Sequence, residues 1–144
     1  MRKIFLAVIV LSFAFGQAQT DPKIYDIIDA VSEERLRNDV KTLADFGTRN
    51  TFSDTISDTR GIGAARRWIK SQFDNISKDC KDCLEVFYQK DFVTKEGNRR
   101  VPKDAWIVNV VAIQRGTKYP NRFVIMSGDI DSRASDTMDF ITDA

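Results

Sequence analysis

The hydrophobic period of this chain changes once, between Cys80 and Leu84, and that change restricts the folds open to it. Upstream, apolar residues recur at three- and four-residue spacing. Ile24, Ile27, Ile28 and Val31 trace one stripe of a short amphipathic helix. Ser32 followed by Glu33 and Glu34 supplies an N-cap and first-turn acids for a continuation through Leu36, Val40, Leu43 and Ala44, which Gly47 stops. Thr48 to Thr59, rich in Thr, Ser, Asp and Asn, is expected as a solvated loop. A second long helix is expected from about Arg60 to Ile76. Its buried stripe is Ile62, Ala65, Ile69, Phe73 and Ile76, and Arg66, Arg67 and Lys70 fall to a solvated face.

Downstream the pattern is that of strands. Leu84, Val86, Tyr88 and, after a slip, Phe92 alternate, and Lys95 to Arg100 around Gly97 read as a turn. Trp106 to Ile113 is apolar and β-branched apart from Asn109, and Tyr119-Pro120-Asn121 makes the next turn. Arg122 to Met126 is expected as a third strand, apolar throughout from Phe123. Continuous apolar runs belong to strands covered on both faces by helices, so the expected fold class is α/β. Gly61-Ile62-Gly63 is not a nucleotide-binding loop, because no strand precedes it and the third glycine is missing.

The N-terminus carries a three-part export pattern. Arg2 and Lys3 precede an uncharged, mostly apolar run of twelve residues from Ile4 to Phe15, and Gly16-Gln17-Ala18 offers small residues for cleavage. That run is too short to span a bilayer comfortably. Residues 1–18 are therefore expected to be a signal peptide, placing the product in the periplasm or outside the cell. Residues 22–144 are expected to be the N-terminal part of a single domain, with no membrane association after cleavage. Removing Arg2 and Lys3 takes Lys+Arg from 22 to 20 against 21 Asp+Glu, a balance that offers nothing to nucleic acid or to anionic membranes.

The chain contains no histidine, which excludes Ser-His-Asp and Cys-His catalysis within it and removes the commonest nitrogen ligand for zinc. The two cysteines lie together in Cys80-Lys81-Asp82-Cys83. In an oxidising compartment a local disulfide between Cys80 and Cys83 is expected. The alternative, a redox-active dithiol, normally joins a strand to a following helix, and here the order is reversed.

Chemistry is expected where the third strand ends, in Ser127-Gly128-Asp129-Ile130-Asp131-Ser132-Arg133. Open α/β sheets bind ligands outside the carboxyl ends of their strands. Two acids one residue apart on an extended segment point to opposite sides. One is then free to bind an ion while the other orients the surrounding groups. Alone, the pattern equally suits acids that cap a helix or form an Asx turn.

With its neighbours the pattern becomes more specific. Phe123–Arg133, "FVIMSGDIDSR", resembles the metal strand and loop of metallopeptidase family twenty-eight, the co-catalytic zinc aminopeptidases and related carboxypeptidases. "LADFGTRN" (Leu43–Asn50), "RGIGAARRWIKSQF" (Arg60–Phe73) and "WIVNVVAIQRG" (Trp106–Gly116) are similar, in order, to its Gly-x-Arg turn, early surface helix and preceding strand. The resemblance implies a three-layer α/β/α zinc-exopeptidase-like fold with a mixed sheet, here truncated after the third expected strand. It implies two zinc ions, a peptide substrate and removal of N-terminal residues by metal-assisted hydrolysis.

Carried over by position, Asp129 stands where the family has its first zinc-binding histidine, and Asp131 where it has the acid that orients that histidine. A carboxylate can ligate zinc, so Asp129 is the candidate metal ligand and Asp131 its outer partner. The bridging Asp, general-base Glu and later ligands of the family have no counterpart before Ala144. Asp136, Asp139 and Asp143 are expected to be solvated loop acids. The chain is accordingly expected to be a fragment, inactive by itself, of an exported aminopeptidase. Two rivals remain open: a non-catalytic exported binding or scaffold domain that has lost the metal, and a thiol–disulfide protein using Cys80 and Cys83.

Overall fold

Ser32 shows how local chemistry sets the helix boundaries: its Oγ accepts the backbone N–H of Arg35 at 3.2 Å, satisfying one of the free donors of a helix start. A computed structural model describes residues 21–97 and 101–134. The expected signal peptide, and Asp136, Asp139 and Asp143, lie outside the described residues. The chain divides into two compact units, Met1–Arg37 and Asn38–Ala144.

The first unit contains α1, Pro22–Asp29. The Asp21 side chain accepts from the Lys23 N–H at 3.0 Å, and Pro22 occupies the first turn, where its missing donor costs nothing. The expected apolar stripe forms, and among the described residues it stays exposed: Ile27 is 70% exposed, and Ile24, Tyr25, Ile28 and Val31 are exposed as well. Helix α2, Glu33–Asp45, begins in this unit and runs into the second. Gly47, at φ 67°, ends it in the left-handed conformation that glycine adopts freely.

The second unit is built on α3, Gly61–Asp79, which packs against strands β1, Leu84–Val93, and β2, Ala105–Gln114. The strands pair antiparallel from Leu84 opposite Gln114 to Val93 opposite Ala105. Leu84, Val86 and Tyr88 alternate inward as their period requires. At the far end of the hairpin Phe92 and Trp106 meet with ring centroids 5.0 Å apart. The core lies at the start of α3, where Ile62, Ala64 and Ala65 are buried.

Two tight approaches set that core. A Cβ on Gly61 would stand 2.5 Å from the Asp54 carbonyl oxygen, and one on Gly63 would stand 2.3 Å from that of Thr55. Both glycines therefore serve backbone packing. The segment from Thr48 to Thr59 is irregular as expected, but Thr48, Asn50 and Ser53 are buried rather than solvated. The reason is local hydrogen bonding. Ser53 Oγ donates to the Asn50 carbonyl at 2.7 Å and accepts the Ile62 N–H at 2.9 Å, and Asn50 Oδ1 accepts the Phe52 N–H at 2.8 Å. These small polar side chains thus carry their partners into the interior with them.

The end of α3 is tied to β1 by Ser77, whose Oγ donates to the Leu84 carbonyl at 3.0 Å and accepts the Leu84 N–H at 3.2 Å. Between them Cys80 and Cys83 are disulfide-bonded, with Cα atoms 5.5 Å apart. Lys81 and Asp82 turn the chain there at positive φ.

The third expected strand is not formed. Phe123, Val124, Ile125 and Met126 lie outside any sheet, and Val124 is 94% exposed. A strand needs a hydrogen-bonding partner along its edge, and no such ladder forms for this segment. Trp106 and Ile107 are likewise exposed rather than sandwiched between helix layers. The described residues thus form helices with a two-stranded antiparallel sheet, consistent with α/β, and the mixed three-layer arrangement is not seen in them.

Candidate functional site

Arg49 organises the segment on which the sequence places its chemistry. Its Nε–H donates to the Ile130 carbonyl at 3.0 Å, and its backbone N–H donates to Ser132 Oγ at 3.2 Å. One terminal nitrogen donates to the carbonyls of Leu43 at 2.5 Å and Gly47 at 2.9 Å. The turn Leu43–Asn50 and the loop Ser127–Arg133 are thus joined by one guanidinium, across the 81 positions between Arg49 and Ile130. The planar fork of arginine suits this role, because it presents several donors in fixed directions.

Asp131 follows Ile130 directly and faces two cations. Burial lowers the Arg49 pKa from its ordinary value while the Asp131 charge opposes that shift. Burial lowers the Arg66 pKa as well, opposed first by Tyr88 and then by Asp131. The carboxylate of Asp131 therefore sits in the field of two partly desolvated guanidinium groups. Asp129 is exposed. Among the described residues no three His, Cys, Asp or Glu side chains come close enough to hold a metal ion.

The donor set explains that result. The chain has no imidazole, both cysteine sulfurs are held in the Cys80–Cys83 disulfide, and Asp129 and Asp131 are separated by Ile130. A structural zinc ion takes four ligands, and a catalytic one takes three protein ligands with an open position. The residues described here do not fit a zinc ion by themselves.

Arg66 is the residue that sequence reasoning misplaced. It was expected on the solvated face of α3, yet only 8% of it is exposed, and its Nε is buried without a hydrogen-bond partner. The available signal was spacing: Arg66 lies four residues after Ile62 and three before Ile69, so it shares the edge of the buried stripe. Arg67 follows the solvated expectation in exposure but is not idle. It donates to the carbonyls of Thr55, Ile56 and Ser57 and pairs with Asp58 at 3.2 Å, which holds the loop against the helix. Lys70 pairs with Asp74 one turn along α3.

No family model matches the chain, and no solved structure matches it. Curated relatives do. It is 36% identical over 124 residues to a probable zinc metalloprotease of Leptosphaeria maculans, an alignment covering 86% of this chain and 28% of that protein. It is 33% identical over 132 residues to a probable zinc metalloprotease of Phaeosphaeria nodorum, covering 91% of this chain and 26% of the relative. A third, from Pyricularia oryzae, is 36% identical over 86% of this chain and 24% of its own length. The chain spans between a quarter and three-tenths of the first two relatives' length. Over most of its own length, then, this chain is a sequence relative of proteins named probable zinc metalloproteases.

Proposed function

We propose that this chain is the N-terminal part of an exported, zinc-dependent aminopeptidase that removes N-terminal residues from peptides. One observation supports this reading above the others: the Arg49 clamp joins the Gly-x-Arg turn to the Ser127–Arg133 loop, the two segments whose order also resembles the metallopeptidase family. The similarity to probable zinc metalloproteases over 86% of the chain supports the same chemical class.

Zinc, when bound, would polarise the scissile carbonyl and activate water. Among the described residues Asp129 is the candidate for a direct ligand, Asp131 follows two residues on, and the remaining ligands would belong to polypeptide outside the described residues. The part played by these residues is positional. Arg49 holds the Ile130 carbonyl and the Ser132 hydroxyl, which limits where the flanking carboxylates can go. Residues 1–18 supply the export signal in this proposal, and the product is periplasmic or extracellular.

The competing reading is an exported scaffold domain of the same ancestry without metal. It is favoured by the aspartate at position 129 and by the lack of a three-ligand cluster among the described residues. Expression from the complete reading frame decides between them. Metal content and release of aminoacyl 4-nitroanilide are measured before and after dialysis against chelator. Zinc-bearing, chelator-sensitive hydrolysis supports the peptidase; metal-free protein without hydrolysis supports the scaffold.

A further inference from the structure

An open cleft of about 860 Å³ lies between the Thr51–Thr55 loop, the start of α3 and the β1–β2 hairpin, and Asp129 is not among its lining residues. Its lining carries four cations, Arg66, Arg67, Lys90 and Lys103, against one acid, Asp104. Arg67 is already engaged with Asp58 and three loop carbonyls. Arg66 differs from the rest: more than nine-tenths of it is buried, and its Nε–H has no acceptor. An unsatisfied buried donor on a charged group is costly to maintain and is expected to meet an acceptor. Phe52, Tyr88, Trp106 and Val108 supply apolar wall beside it, and Lys90 Nζ stands 5.9 Å from the centre of the Tyr88 ring.

We infer that this cleft is a binding site for a carboxylate attached to an apolar or aromatic body, with Arg66 as the group that receives the acid. Lys90 and the guanidinium of Arg66, whose Nε–H lacks an acceptor, favour an anion. The nearby charge of Asp131 and the Asp104 wall favour a single negative charge over a phosphate dianion. The apolar wall selects the body that carries it. The inference does not rest on the peptidase reading, since neither Asp129 nor a metal takes part.

The test is isothermal titration of the full chain with phenylacetate and with its neutral isostere phenylacetamide, alongside nitrogen-15 spectra of the arginine Nε–H groups. Phenylacetate is expected to bind saturably, about tenfold or more tighter than the amide, and to shift the Arg66 Nε–H signal. A blocked Glu-Phe dipeptide in a third titration separates the two sources of such an acid: tighter binding than phenylacetate assigns the site to acidic peptide side chains, weaker binding to free organic acids. Arg66→Met, which keeps the apolar stem, is expected to remove the preference for acid over amide, and Lys90→Met to weaken it a few-fold. Equal binding of phenylacetate and phenylacetamide by the unaltered chain, or no binding of either, overturns the inference whatever the variants do.

Discussion

The Nε–H of Arg49 donates to the Ile130 carbonyl at 3.0 Å, while a terminal nitrogen of the same guanidinium reaches the carbonyls of Leu43 and Gly47. One side chain thereby fixes the end of α2 against the loop that carries both candidate acids. Arg49→Ala leaves three carbonyls without their donor, and about 2 kcal/mol of stability should be lost. Arg49→Lys should recover less than half of that, because a single ammonium cannot serve three directions at once. Urea denaturation followed by circular dichroism measures both; full rescue by lysine would show that charge, not the fork, matters.

The two glycines at the start of α3 make a sharper stability prediction. Gly63→Ala drives a methyl group to within 2.3 Å of the Thr55 carbonyl, and about 3 kcal/mol should be lost. Gly61→Ala adds a left-handed φ of 75° to a similar clash. Gly128→Ala is the control, since nothing lies within 4 Å of its added Cβ, and its midpoint should move by less than about 0.5 kcal/mol. Equal effects at Gly63 and Gly128 would contradict this packing.

Asp54 predicts the acid limb of the stability curve. Its carboxylate accepts the N–H groups of Ile56 at 2.7 Å and Ser57 at 2.9 Å. The Ser57 bond, then the Ile56 bond, hold its pKa below the ordinary 3.8, with Arg67 adding to the effect and desolvation opposing it. A lowered folded-state value means the contribution is complete above the unfolded value and is lost as pH falls through the folded one. Stability should therefore drop below about pH 4, and Asp54→Asn should flatten that part of the profile. Parallel profiles for the two proteins would remove Asp54 from the account.

The Cys80–Cys83 disulfide closes a very short loop, so chain entropy gives it a small share. Reduction should cost about 2 kcal/mol on the loop-length relation. The fold should survive, because Ser77 holds Leu84 by two separate hydrogen bonds. Thermal melts with and without reductant test this; unfolding of the whole chain on reduction would assign the turn a larger role than its length allows.

Val124 tests the arrangement of the third apolar segment. At 94% exposure, Val124→Lys should change stability by less than about 0.5 kcal/mol while reducing self-association in sedimentation. A large loss of stability would mean instead that Phe123–Met126 is sheet-paired and covered, as the α/β reading of the sequence expected.

Much of this architecture is legible residue by residue. Ser32 at a helix start, Gly47 at a helix end and the inward alternation of Leu84, Val86 and Tyr88 all follow from interactions within a few positions, which a sequence displays directly. The similarity to proteins named probable zinc metalloproteases is also carried by sequence, over 86% of the chain. The tertiary structure alone decided the rest. Asn50 and Ser53 are polar yet buried because their acceptors and donors come with them. Phe123 to Met126 are apolar yet exposed because a strand exists only where another edge accepts its hydrogen bonds. Arg66 is charged yet buried because it shares the edge of the Ile62 stripe, and the Arg49–Ile130 bond joins segments more than eighty residues apart. Periodicity and capping are local and can be read from the sequence; burial and pairing depend on distant residues, so only the packed chain fixes them.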